Sequence, residues 1–303
     1  MSLLIVGSVA LDTVKTPFGK HDYILGGSAV HASVAASFFS KVNLVGVVGE
    51  DFPVEHVDFL NQKGIDTAGL QIKKGKTFHW EGYYEYDMNQ AHTVATDLNV
   101  FADFDPVIPK KYQDSEYVFL ANIDPELQLK VLKQIKKPKL SVLDTMNFWI
   151  ETKKEQLLEV IKQVDIVVLN EGETRQLLKT PNLISGAKEL LKMGVKKVII
   201  KKGEHGCLLF EDDHYFAAPS FPLDRLVDPT GAGDSFAGGF IGYLAESGDL
   251  SHENMRKAVI IGSTIASYNV EDFSLNRMRK LTKKDIQKRF SEFKQMTEFE
   301  GEI

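Results

Sequence analysis

Gly231, Gly233 and Asp234 stand in one short turn, and after them Phe236, Phe240, Ile241 and Leu244 recur at i, i+4, i+5 and i+8. That spacing predicts a helix with one face on a core, so the turn is its N-terminus. Glycine tolerates positive φ, which lets the backbone N–H groups of Gly231, Ala232 and Gly233 converge on an anion. First-turn N–H groups have no intrahelical partner and the macrodipole is positive there, so charge developing on a phosphoryl group would be stabilised. Asp234 at the mouth could take a proton from a hydroxyl aimed at that phosphate, or it could cap the helix. The spacing leaves both roles open.

Two other nucleotide motifs fail on spacing. A dinucleotide fingerprint would need a third glycine where Phe236 stands, and would follow the first strand of the chain, so a Rossmann oxidoreductase is not expected. The string GLQIKKGKT, residues 69–77, has one residue too many between Gly69 and Gly75 for a phosphate-binding P-loop, and an alternating aromatic run follows it in place of a helix.

The elements that must position the turn are those of an α/β protein. Leu3 to Ala10 is a continuous apolar run, as expected of a strand buried on both faces, and Asp12 follows its carboxyl end, where open α/β sheets bind ligands. Gly26-Gly27 opens a helix over 28–40 whose alanines permit close packing, and His31 on it is expected to face a ligand, with a structural role as the alternative. From Glu116 onward apolar strands alternate with helices, which predicts βαβ units and a parallel sheet. The strand ends carry polar residues that would line one cleft: Asn122 and Asp124, then Asp144 and Asn147, then Asn170 and Glu173. As a bare pattern, Asn170 and Glu173 also fit a helix cap. Residues 13–24 read as a hairpin projecting from the sheet. Phe78, Trp80, Tyr84 and Tyr86 alternate with His79, Glu81, Tyr83 and Glu85, the period-two pattern of an antiparallel strand. Segments 12–24 and 71–100 would then make a small β-lid on a single domain spanning 1–303, its aromatic face covering substrate, pairing with a second subunit or packing.

Composition narrows the partners. A net charge of −6 over 303 residues argues against nucleic-acid binding, and a lone cysteine, Cys207, rules out an internal disulfide and fits a reducing, cytoplasmic setting. No apolar run approaches the roughly 20 residues of a bilayer span, so neither membrane insertion nor a signal peptide is expected. The last few residues are expected to fray.

The string DPTGAGDSFAGGF, residues 228–240, resembles the C-terminal signature of the ribokinase-like (PfkB) family of carbohydrate and nucleoside kinases, and GGSAVHASVAA, residues 26–36, resembles its N-terminal signature. The resemblance implies a three-layer α/β/α fold with a mostly parallel central sheet and a small β-lid, and transfer of the γ-phosphate of ATP to a hydroxymethyl group. It implies Asp234 as general base, with Asp12, Gly26 and Gly27 on the acceptor. His31 stands where the family usually has asparagine, a departure that bears on the acceptor's identity. Asn170 and Glu173 resemble the family's NxxE motif, which helps hold phosphate and magnesium. The segment KKGEHG, residues 201–206, resembles the stretch that lines the nucleotide site at Gly203, with Gly206 in the same turn and Lys201 and Lys202 as candidates to meet phosphates. Thr230 belongs to the nucleotide side of the signature, Ser263 to the wall of the adenine pocket, and Asp228 to the support of a monovalent cation such as potassium. The expected acceptor is an unphosphorylated sugar, with a nucleoside as the alternative, because the N-terminal half has no arginine to grip an acceptor phosphate. A ligand-binding regulator on the same fold is the competing class, and a homodimer through the lid is compatible with the aromatic run.

Overall fold

The computed structural model describes residues 1–212 and 214–298. Its strands in chain order are β1 (Ser2–Val6), β2 (Ala10–Thr16), β3 (Gly19–Gly26), β4 (Lys41–Gly49), β5 (Ile65–Lys73), β6 (Phe78–Tyr84), β7 (Ala91–Asp97), β8 (Tyr117–Leu120), β9 (Leu140–Asp144), β10 (Ile166–Asn170), β11 (Lys197–Lys201), β12 (Cys207–Glu211) and β13 (His214–Ala218). Nine of them form the main sheet in the order β13-β12-β11-β10-β9-β8-β1-β4-β5. All its ladders are parallel except those of β11 with β12 and β12 with β13.

β1 shows why the sheet is the middle of three layers. Leu3 and Ile5 enter one apolar core with the helices Ser28–Ala36, Ala232–Ser247 and His252–Asn269, whereas Leu4 and Val6 enter another with the helices Pro125–Gln134, Lys154–Ile161 and Leu183–Lys192. A strand with period-two side chains that are apolar on both faces must be covered on both. On the first face, Gly238 and Gly242 lie directly against the backbone of Ala32 and Ala36. This close approach brings the N-terminus of the helix Ser28–Ala36 beside that of Ala232–Ser247, and it needs the small residues that both helices carry.

The second sheet has the order β3-β2-β6-β7. The hairpin expected over 13–24 forms as β2 and β3. The alternating run forms β6, antiparallel to β7 but parallel to β2. Two expectations need correction. Residues 71–73 end β5 and pair with β4 in the main sheet, so the small sheet takes the chain up again only at Phe78. Tyr86 lies beyond the end of β6 and is 93% exposed, while Trp80 and Tyr84 pack on Val14, Val227 and Phe273 toward the main body. A bulge at Glu81/Gly82 shifts the register there. Asp213, between β12 and β13 in the sequence, and the chain end expected to fray lie outside the described residues. No helix among the described residues is long and apolar enough to cross a membrane.

Candidate active site

The signature turn sits at the carboxyl edge of the main sheet. Gly231 caps the helix Ala232–Ser247 with φ +73°, a left-handed conformation, and a Cβ there would run into the ring of His31. Both facts require glycine. Asp234 lies in the first helical turn and is partly exposed. Burial, and then the neighbouring Asp144 carboxylate, push its carboxyl up to about 7, against the pull of Lys201. A carboxylate tuned to that range can accept a proton near neutral pH.

Asp12 is brought to the same cleft from β2 and is almost wholly buried. Burial and the charges of Asp228 and Asp234 push its carboxyl up to about 7, while a hydrogen bond from the backbone of Gly27 opposes this. Gly26 lies directly against that carboxylate, and Gly27, with φ +96°, caps the helix Ser28–Ala36. Ala29 N–H donates to the Ser8 carbonyl (3.0 Å), and Ser28 Oγ donates to the Asn122 carbonyl (3.2 Å). The diglycine is thus tied to the ends of two neighbouring strands.

His31 lies deeper beneath the signature turn than a residue on the surface of the cleft would. The side chain is only 2% exposed, packs on Gly231, and is joined through Nδ1 to Asn269 Oδ1 at 3.1 Å. Burial pulls its pKa down to about 4, so the ring is neutral at physiological pH. Asn147 is exposed and donates from Nδ2 to Gln176 Oε1, on the rim beyond β9.

On the opposite side of the turn, Asn170 and Glu173 form a reciprocal capping box. Glu173 Oε2 accepts Asn170 N–H, and Asn170 Oδ1 accepts Glu173 N–H, each at 2.7 Å. Burial pushes the Glu173 carboxyl up to about 7; Lys201 opposes this. Lys201 is paired with Asp144 (Nζ to Oδ2, 3.1 Å) beneath Gly233, where an added Cβ would stand 2.9 Å from the ammonium. Burial works against the Lys201 charge, but Asp144, Glu173 and Asp234 together raise its pKa above the usual lysine value. Gly203 and Gly206 bound the short turn after β11, and Ser263 lies beside the buried Cys207 thiol, which burial pushes up to about 12. Asp228 is fully buried: Oδ1 accepts Thr230 N–H (2.9 Å) and Oδ2 accepts Ser274 N–H (3.0 Å). Thr230 Oγ1 meets the Tyr84 hydroxyl of the small sheet at 3.3 Å.

From the sequence, Asp144 reads as lining the cleft and Tyr84 as part of the lid's aromatic face, neither with a specific contact, and Asn269 is not singled out. Asp144 had a strand-end position as its signal, and Tyr84 had its place in the aromatic run. Asn269, the last residue of the helix His252–Asn269, had none.

This site can be set beside known proteins. A profile of the pfkB family carbohydrate kinases matches residues 10–280. The chain is 33% identical over 250 residues to a cytidine kinase of Thermococcus kodakarensis, covering 80% of this chain and 88% of that protein. It is 27% identical over 276 residues to a ribokinase of Lactococcus lactis, covering 84% and 87%. In fold it resembles the nucleoside kinase of Methanocaldococcus jannaschii, an archaeal member of the ribokinase family, with a TM-score of 0.77 at 22% identity over 96% of this chain and 98% of that one. The chain belongs to the pfkB family of carbohydrate kinases and is a phosphotransferase acting on a sugar or nucleoside hydroxyl, with ATP as phosphoryl donor.

Proposed function

We propose that this pfkB-family kinase phosphorylates the 5′-hydroxymethyl group of a nucleoside, with Asp234 as the general base. The observation that carries the nucleoside over the free sugar is the likeness to a cytidine kinase along most of both chains. The rim of the cleft supports it. Asn122 Oδ1 accepts Trp149 Nε1–H (3.0 Å), and Met146 and Phe148 beside it are exposed, an apolar surface on which a base could rest. Asp12 with the Gly26-Gly27 backbone would take the ribose hydroxyls. The Gly231–Gly233 N–H groups would meet the transferring phosphoryl, and Asp234 would take the proton of the attacking hydroxyl. Lys201, Gly203, Gly206, Thr230 and Ser263 would line the ATP side.

Magnesium fits at Glu173. Its Oε1 has no hydrogen-bond partner among the described residues and is not among the sealed, unpartnered side-chain atoms. Magnesium commonly keeps few protein ligands and is shared with substrate phosphate oxygens. When bound, such an ion neutralises charge on the phosphates. At Asp228, the expected support for potassium, each carboxylate oxygen accepts one backbone N–H, from Thr230 and Ser274, and each keeps a further lone pair.

ATP consumption with cytidine, adenosine, inosine, ribose, fructose and fructose 6-phosphate tests the proposal. Preference for nucleosides is the expected result. Preference for ribose would return the acceptor to the free sugars, and use of the phosphosugar alone would overturn both.

A further inference from the structure

Asn269 ties together parts of the site that come from three places in the chain. Its Nδ2 donates to the Thr230 carbonyl (2.9 Å), one residue before the left-handed Gly231. Its Oδ1 accepts from Ser235 Oγ in the first turn of the signature helix (3.1 Å) and meets His31 Nδ1 (3.1 Å) on the helix that follows the diglycine. The side chain is wholly buried. These partners fix the amide: a carbonyl oxygen can only accept, so the nitrogen must face Thr230, and Oδ1 must receive from both Ser235 and His31.

That assignment fixes His31 in turn. An acceptor at Nδ1 requires the proton on Nδ1, which leaves Nε2 with a lone pair. Nε2 has no hydrogen-bond partner among the described residues, yet it is not among the side-chain atoms sealed from solvent without one. It is therefore the one polar atom of a buried ring left able to accept from a ligand. The groups that face the ring are the uncharged Asn269 and the Gly231 backbone, and no charged side chain contributes to its ionisation.

We propose that Asn269 is a positioning residue that couples the phosphoryl turn to the acceptor pocket, holding the Thr230 carbonyl with one end of its amide and the acceptor-ready tautomer of His31 with the other. The inference rests on the kinase reading above. It predicts that His31 contributes to acceptor binding only while Asn269 orients it.

A double-mutant cycle on the full chain tests this. Asn269→Ala should lower kcat/KM for the acceptor about tenfold, the size of one lost hydrogen bond, with the KM for ATP nearly unchanged. His31→Ala should do the same, and the double variant should lose little more than the worse single. Independent, multiplying losses would overturn the coupling, as would a lower melting midpoint with parental kinetics. Asn269→Asp serves if the alanine variant folds poorly. It keeps the two acceptor contacts, withdraws the donor from Thr230, and should raise the proton affinity of His31, so that acceptor kcat/KM acquires an extra ionisation and recovers as pH rises. A pH profile parallel to the parent's would also overturn the proposal. A parent inactive with every nucleoside and sugar would instead sink the functional reading, which keeps the two failures distinguishable.

Discussion

The floor and the cover of the cleft are built on different physical terms. On the floor, Gly231 to Asp234 come from one uninterrupted stretch, locked from below by His31, Asn269 and Lys201 and carried on helices that touch backbone to backbone. The cover is assembled from segments more than fifty residues apart, and β3 and β7 leave most of their side chains exposed. Its shared apolar cluster with the main body is small, centred on Val14, Val227 and Phe273. Interactions that are buried and mutually dependent resist local opening, whereas sparsely buried elements open at low cost. If the turn supplies the donors proposed above, the difference teaches that they are kept preorganised while adaptation is left to the small sheet, a division suited to a reaction that must exclude water yet release product.

The largest expected effect is on the floor. Asp234→Asn should lower kcat by about 100-fold or more while ATP binding persists, because the base is removed and the backbone donors stay. Single-turnover rates beside ATP-analogue titration would measure this, and turnover within about threefold of the parent would reduce Asp234 to a charge in the first turn of the helix. Gly231→Ala should come next. The left-handed backbone and the His31 ring both oppose a Cβ there, so a cost of about 2 kcal/mol is expected, roughly 30-fold in the folding equilibrium. Chemical denaturation would read it, and an unchanged midpoint would mean that the turn is not rigid after all.

A third prediction concerns pH. Only ionised Asp234 can accept a proton, and its carboxyl sits at about 7, so kcat/KM should fall as pH drops below about 7. Lys201 favours the ionised form, so Lys201→Met should move this limb to higher pH and lower kcat/KM about tenfold at pH 6. A limb that stays in place while the KM for ATP rises would make Lys201 a phosphate contact without influence on the base.

The same contrast explains what could be read from the sequence. The turn, the diglycine and the βαβ alternation were legible because each is a local pattern: glycines at fixed offsets, or a period of 3.6 or 2 within a dozen residues. Asn269 was not, since its partners His31 and Ser235 lie 238 and 34 residues away and nothing local marks an asparagine at a helix end as a tie between helices. His31 was legible as a chemical group but its orientation was not, because burial under Gly231 depends on how closely two helices pack. The start of the small sheet was misplaced for a related reason. Residues 71–73 could extend either sheet on propensity alone, and pairing with β4 decides it.

The smallest effect should be found on the cover, at Tyr84. This residue reaches from β6 to the floor, where its hydroxyl meets Thr230 Oγ1 at 3.3 Å, and burial pushes its phenol well above the usual tyrosine value. The ring packs on the Val14, Val227 and Phe273 cluster and would remain there in Tyr84→Phe. Only a long hydrogen bond between two neutral hydroxyls is lost, and such bonds contribute on the order of 1 kcal/mol or less. If the small sheet is an adaptable cover, that loss should favour its open form, raising the KM of the acceptor by about threefold with kcat nearly unchanged. The effect should disappear for a product-release step measured alone, or even reverse, since an easier opening speeds departure. A kcat fall comparable to that of Gly231→Ala would show instead that Tyr84 helps hold the phosphoryl turn, and the boundary between floor and cover would have to be drawn to include it.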